Sequence, residues 1–255
     1  MTSRPIASDP RERVSREDAG RPGEGRPGFG GWRFAWSDRS PLATCAVLIV
    51  VSLPVCLLCA LALDVPMARL AMQTPSQLRA TAQLFSDLGL SGYMLILSAL
   101  VAATAFAALR RERFAGHAPV LRVAAERAFF IFVSVGLSGI AVQILKHTIG
   151  RARPGLLDRF GAFHFDLFSI KASLASFPSG HSTSIFALAV AIGLIAPRLR
   201  GPMLGLAVAV AVARVVLAAH YASDIVAGAT LGVVTTILVA RFLAERSIAF
   251  NQVGG

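Results

Sequence analysis

The thirty residues AERAFFIFVSVGLSGIAVQILKHTIGRARP, Ala125 to Pro154, decide how this chain folds. They start as a predominantly apolar run ending at Leu145, close to the ~20 residues a helix needs to cross a bilayer. They end in a cationic block, Lys146-(six residues)-Arg153-Pro154, with Gly150 in the turn and Pro154 stiffening the exit. An apolar chain carries charge only where a partner or a solvent repays it, so the charged end of such a span is a place to look for chemistry.

Composition sets the class. The chain has 255 residues, 55% hydrophobic and 15% charged, against about 25% charged in an average soluble domain. The mean hydropathy is +0.65. This is the profile of an integral membrane protein, one domain of several spans. The net charge of +11 could suggest nucleic acid, but the apolar runs argue against that partner. A basic balance in a membrane protein reflects cytoplasmic loops and a polyanionic substrate. Two lysines, Lys146 and Lys171, stand against 23 arginines, which reads mainly as codon usage. Cys45, Cys56 and Cys59 all fall in the first apolar run, where buried thiols pack rather than form a disulfide or metal set.

Six apolar segments are predicted, at about Leu42–Leu63, Leu90–Leu109, Ala125–Leu145, Thr183–Ala196, Met203–Ala219 and Ile225–Leu243. Ser40 caps the first, Pro41 opens it, and Pro54 should kink it. Residues 75–88 read as a short amphipathic helix lying at the interface, with Leu78, Ala82 and Phe85 on one side. The fold class is therefore all-α, a polytopic bundle of six transmembrane spans with one interfacial helix. Residues 1–39 form a disordered arm rich in Arg, Gly, Pro, Asp and Glu, ending in the aromatic anchors Trp32, Phe34 and Trp36. Residues 40–246 are the folded domain and 247–255 a short tail. The arm lacks the apolar stretch of a signal peptide, and no internal repeat stands out.

Loop charge gives the orientation. The arm, the connection after the second span, the connection after the fourth and the C-terminal end together hold 17 of the 25 basic residues. With six spans these regions share one side, which the positive-inside rule makes cytoplasmic, with both termini. The protein is then a multi-pass component of the cell inner (plasma) membrane. The other ends of spans three to six face the periplasm or exterior, and the cations there need a different reason, such as a bound anion.

Three blocks occupy that face. In the first, Lys146 supplies a movable point charge and Arg153 a planar fork suited to phosphate oxygens. Taken alone, Lys146, Arg151 and Arg153 read more readily as interfacial cations snorkelling to water. In the second, Pro178-Ser179-Gly180-His181 makes a turn before a helix, where backbone N–H groups and the helix N-terminus converge on an anion. Gly180 allows close approach and Ser179 adds a hydroxyl, although a plain Ser/Gly cap beside an incidental His is the blander alternative. In the third, Arg214 lies six residues before His220, about 9 Å along a helix, which puts a guanidinium in the apolar zone. Asp224, four residues on, could take a hydrogen bond from one ring nitrogen of His220 and leave the other as a nucleophile. The alternative makes Asp224 a helix cap paired with Arg214.

Together these blocks resemble the signature of the type 2 phosphatidic acid phosphatase superfamily, KxxxxxxRP, PSGH and SRxxxxxHxxxD. Every charged and histidine position is filled at that spacing, and the one departure is Ala213 in place of Ser. The resemblance to the membrane branch spans roughly residues 40–245. It implies a helical bundle and a phosphatase needing neither metal nor other cofactor. It further implies that His220 attacks phosphorus, Asp224 orients His220, and His181 protonates the leaving oxygen and then activates water. Lys146, Arg153, Arg214, Ser179 and Gly180 would hold the phosphate oxygens. Such parts suit a transfer that needs mostly positioning and charge stabilisation.

The expected function is hydrolysis of a lipid phosphate or pyrophosphate at the extracytoplasmic face through a phosphohistidine. The candidate substrates are undecaprenyl pyrophosphate, phosphatidic acid, phosphatidylglycerol phosphate and the 1-phosphate of lipid A. A lipid phosphotransferase and a non-enzymatic anion transporter are the alternatives. A transporter would spread charge along a path, whereas here it gathers at one face. The bilayer and the lipid substrate are the partners implied. Finally, the loop 155–177 carries Phe160, Phe163, Phe165, Phe168 and Phe177. Either it dips into the outer leaflet as a lipid mouth, or its rings pack it onto the bundle.

Overall fold

The structure is a computed structural model, and it describes residues 40–246, 248 and 249. The arm, with its predicted aromatic anchors, and the last residues of the tail lie outside the described residues.

Ser40 caps the first helix, its Oγ accepting the Ala43 N–H, and Pro41 fills the first helical position, where its missing N–H costs nothing. Helix α1 (Pro41–Leu58) keeps Pro54 within a regular run. The departure comes one turn later, as a π turn at Cys59–Leu63 that leads into α2 (Asp64–Met72). The interfacial helix is α3 (Ser76–Asp87), followed by α4 (Ser91–Leu109) and the 32-residue α5 (Ala118–Ile149). Then come α6 (Gly180–Ile195), α7 (Arg200–Val216) and α8 (Ala222–Ala244). Apart from one isolated bridge, Arg151 with Phe165, the described residues contain no β-structure.

The chain is thus an all-α polytopic membrane bundle. Among the described residues, five helical stretches are long and apolar enough to cross a bilayer: Pro41–Met72, Ser76–Leu109, Glu112–Ile149, Pro197–Val216 and Ala222–Ala244. The fourth expected span, α6, is apolar but only 16 residues long. It packs against α5, α7 and α8 and is largely buried along its length. Long side chains such as Leu53, Leu61, Ile96, Ile140 and Phe242 point outward, as a lipid-facing surface requires.

Inside the bundle, small residues set the spacing. A Cβ on Gly228 would sit 2.4 Å from the Ser179 carbonyl oxygen, and one on Gly232 would sit 2.3 Å from that of Thr183. Thr236 Oγ1 lies 3.3 Å from the Ala187 carbonyl across the same seam. This is close packing of the kind that joins helices in lipid, where no hydrophobic force drives them together. It presses α6 onto α8 and fixes the two blocks at their N-terminal ends. Helix α3 follows the same inverted rule. Arg79, Ala82 and Ser86 turn toward α7, while Leu78 and Phe85 face outward, so Ala82 does not share its side with them as the sequence suggested.

Gly232→Ala should destabilise the protein by about 1–3 kcal/mol, because a backbone carbonyl must move to admit the methyl. Thermal unfolding in detergent reads this as a lowered midpoint. Gly201→Ala, which meets open space, should leave the midpoint unchanged or raise it slightly.

Candidate active site

Asp224 is the third residue of α8 and fully buried. Its Oδ2 accepts the Tyr221 N–H at 2.9 Å, closing the start of the helix, and the Ser176 hydroxyl at 2.6 Å. Its Oδ1 accepts Arg151 Nη1 at 2.6 Å. Its backbone carbonyl accepts the Ser179 N–H at 3.0 Å, which ties the second block to the third. So Asp224 does cap its helix, but its cation is Arg151 rather than Arg214.

His220 sits just before α8, in the turn that ends α7. There Ala218 takes a left-handed conformation (φ 52°) and the N–H groups of Ala219 and His220 both donate to the Arg214 carbonyl. The imidazole is buried, with Nδ1 2.8 Å from the Ser176 carbonyl oxygen and 3.5 Å from Asp224 Oδ2. A carbonyl can only accept, so Nδ1 carries the proton and Nε2 keeps its lone pair. The tautomer that the sequence assigned to Asp224 is therefore set mainly by a backbone group, and Asp224 acts at a distance that is long for a hydrogen bond. Burial pushes the His220 pKa down to about 4, with Asp224 opposing and Arg214 and Lys146 reinforcing the shift. The ring is neutral at pH 7, as a nucleophile must be.

The three predicted phosphate-holding cations come together. Lys146 lies in the last turn of α5, and its Nζ is so close to the second block that a Cβ on Gly180 would stand 3.3 Å from it. Gly180 has an ordinary φ, so a side chain there would meet the movable end of Lys146 and crowd the space between them rather than strain the backbone. Arg153 follows the turn at Gly150, whose φ of 62° and 1.7 Å clearance to the Asp166 carbonyl exclude any side chain. Beyond it the strip 150–153 is hydrogen-bonded on one side to 164–166 and on the other to 173–176. Arg214, in the last turn of α7, donates through Nη1 to Ser86 Oγ at 2.6 Å. Lys146, Arg153 and Arg214 are near enough to repel one another. Moreover, Nε of Arg153 and Nε of Arg214 are buried with no hydrogen-bond partner, a costly state for N–H donors.

Ser179 caps α6, its Oγ accepting from Ser182 N and Oγ. Its own O–H proton stays available for donation. His181 follows on the first turn, packed against Gly89, where a Cβ would stand 3.1 Å from the His181 Cβ. The charges of Arg214, Lys146 and Arg153 all act on His181. A cavity of about 200 Å³ opens beside it, lined by Lys146, Gly180, His181, Gln143, Ser91 and Ser184. All three blocks thus meet at one end of the bundle, and Ala213 lies buried next to Arg214.

Several residues at this end escaped the sequence reading. Arg151 does not snorkel: it is 3% exposed and lies between two buried carboxylates, with Nη2 2.8 Å from Asp64 Oδ2 and Nη1 on Asp224. Its Nε and Nη2 also reach the Ala162 carbonyl. Asp64, from the end of the π turn, takes the Ser223 N–H at 2.9 Å and the Ser223 hydroxyl. Burial alone would lower the Arg151 pKa, but Asp224 and Asp64 outweigh it and raise it. A carboxylate closing a long apolar run was the signal for Asp64. Ser86 and Ser176 gave none.

In the loop 155–177, Phe160, Phe163, Phe165 and Phe168 are exposed, Phe168 by 77%, together with Leu167 and Ile170. Phe177 is half-buried, Phe163 lies 5.9 Å from the Arg151 guanidinium and Phe160 stacks on His164. Backbone bonds to strip 150–153 and His147 Nδ1 on the Ser169 carbonyl also hold the loop.

Protonation of His220 should switch the site off only as pH falls through about 4. Once the second ionisation of the phosphate substrate, near ~6, is allowed for, turnover should show no histidine limb at the ordinary value of 6.5. A pH–rate profile for phosphate release checks this, and a residual limb near 6.5 would contradict it.

Three comparisons bear on this site. Residues 127–248 match the family model of the PAP2 superfamily. A lipid A 1-phosphatase from Rhizobium johnstonii is 31% identical over 86% of this chain and 89% of its own length. One from Rhizobium etli is 31% identical over 71% and 78%. Among solved structures, the transmembrane PAP2-type phosphatidylglycerolphosphate phosphatase of Bacillus subtilis superposes with a TM-score of 0.53 at 21% identity, covering 79% of this chain and 94% of its own.

Proposed function

We propose that this chain, which belongs to the PAP2 superfamily and is a membrane phosphatase, removes the 1-phosphate of lipid A through a phosphohistidine at His220. The two lipid A 1-phosphatases, matched along most of their length, favour lipid A over the other three lipids that the residues alone admit. One observation carries the chemistry: three mutually repelling cations, two with unpartnered buried Nε groups, lie beside a neutral histidine whose tautomer leaves Nε2 free. Such a set of cationic donors suits phosphate oxygens and the charge that develops on them during transfer.

In this reading Lys146, Arg153, Arg214, the Ser179 hydroxyl and the Gly180 amide hold the non-bridging oxygens. Nε2 of His220 forms a bond to phosphorus as the bond to the sugar oxygen breaks, and His181 passes its proton to that oxygen. Water then attacks phosphorus with His181 as base, the N–P bond breaks, and inorganic phosphate leaves. The cavity beside His181 and Lys146 supports a leaving group held on that side of the site. The basic residues at the opposite helix ends support an inner-membrane protein with its site toward the periplasm and its termini in the cytoplasm. The exposed rings at Phe160, Phe163, Phe165 and Phe168 support a loop that enters the outer leaflet and admits acyl chains to the site.

Purified protein in detergent should release phosphate from lipid A with EDTA present. Mass spectrometry should find the 4′-phosphate retained, with phosphatidic acid, phosphatidylglycerol phosphate and undecaprenyl pyrophosphate turned over far more slowly. Replacing both Phe163 and Phe168 with Ala should cut this activity about tenfold or more and spare a short soluble phosphate ester. Equal loss on both would remove the mouth, and a preference for another lipid would remove the substrate assignment.

A further inference from the structure

We propose that Asp64 is a positioning residue for phosphoryl transfer, acting through Arg151 on Asp224 and through Asp224 on His220; this rests on the phosphohistidine reading above. Asp64 is remote from the signature blocks, 87 residues before Arg151. Among the described residues, Arg151 pairs with carboxylates, whereas Arg153 and Arg214 do not. It therefore belongs to a different layer from the cations that hold phosphate.

The layer has a defined order. Ser223 N–H and Oγ fix the Asp64 carboxylate. Asp64 and the Ala162 carbonyl fix the plane of the Arg151 guanidinium. Arg151 Nη1 then takes Asp224 Oδ1, with Ser223 Oγ 2.7 Å away. That leaves Oδ2 turned toward Ser176, Tyr221 N–H and His220. The rigid guanidinium spans the two carboxylates, one Nη on each, and so couples the orientation of Asp224 to that of Asp64.

Charge gives the layer a role beyond packing. Asp64, Arg151 and Asp224 together carry one net negative charge, enclosed with His220 away from solvent. Because Nδ1 keeps its proton on the Ser176 carbonyl, the bond from Nε2 to phosphorus leaves the ring formally cationic. The single negative charge of the triad matches that cation. Without Asp64 the triad is neutral, and the charge that grows in the transition state finds no counterpart. Asp64 should then matter to the transition state and little to the bound phosphate, which the three free cations hold.

The test is Asp64→Asn, nearly isosteric, in the full-length protein in detergent, with vanadate as the five-coordinate probe and inorganic phosphate as the ground-state probe. Calorimetry should show vanadate affinity weakened about 10- to 100-fold, a scale usual for loss of a group that orients a functional residue, with phosphate affinity changed less than about twofold. On the lipid substrate kcat should fall in step with vanadate affinity while KM holds. Equal vanadate affinity in the variant and the natural protein overturns the proposal and leaves the function intact. Failure of the natural protein itself to bind vanadate overturns the phosphohistidine reading and this proposal with it. If Asp64→Asn does not yield a folded protein, Ser223→Ala loosens the same layer without removing charge. It should show the same split at a few-fold size, and no change in kcat or vanadate affinity there would equally overturn the role.

Discussion

The structure depends on one buried carboxylate, Asp224. Two distant segments and its own helix start reach it: Arg151 from the strip after α5, Ser176 and the Ser179 N–H from the end of the long loop, and Tyr221 from the turn before α8. An ionised carboxylate inside a bundle costs several kcal/mol unless its lone pairs are taken up. Here they are, and each partner that satisfies it is thereby fixed. The arrangement stabilises a particular meeting of helix ends more than it stabilises the fold, whose main contacts are the close small-residue seam of α6 on α8 and the apolar clusters around Phe130 and Val135.

From that hub the site divides into two layers of opposite character. Outward lie Lys146, Arg153 and Arg214, desolvated and repelling one another, with donors left unused. Inward lie Asp224, Arg151 and Asp64, paired and saturated. His220 stands between them, its Nδ1 donating to the Ser176 carbonyl beside Asp224 and its Nε2 carrying the lone pair. Such a division suits phosphoryl transfer, where little covalent work falls to the protein and fixed charge does most of it. The chain belongs to the PAP2 superfamily and is 31% identical to two rhizobial lipid A 1-phosphatases.

Much of this was legible in the sequence. The cap at Ser40, the apolar runs and the convergence of three spaced blocks follow from local rules, because hydropathy and motif spacing are properties of neighbouring residues. The inner layer was not legible. Arg151 looks like any cation at a span end, and only the left-handed turn at Gly150 and the backbone ladder on either side of strip 150–153 turn it inward. Its partner Asp64 is supplied by a π turn in a helix whose sequence announces only a proline. The tautomer of His220 rests on a backbone carbonyl, to which sequence gives no clue. Helix α3 misled for another reason. In lipid the large apolar residues belong outside and the small or polar ones inside, so Leu78 and Phe85 part company with Ala82.

The central claim is that phosphorus passes through Nε2 of His220. Rapid quenching into base during turnover, which preserves a phosphoramidate, followed by peptide mapping, tests it most directly. Phosphate should appear on the peptide bearing His220, at a level that rises and decays with turnover, and should vanish in His220→Ala. Phosphate on another residue, or turnover that persists in His220→Ala, would contradict it.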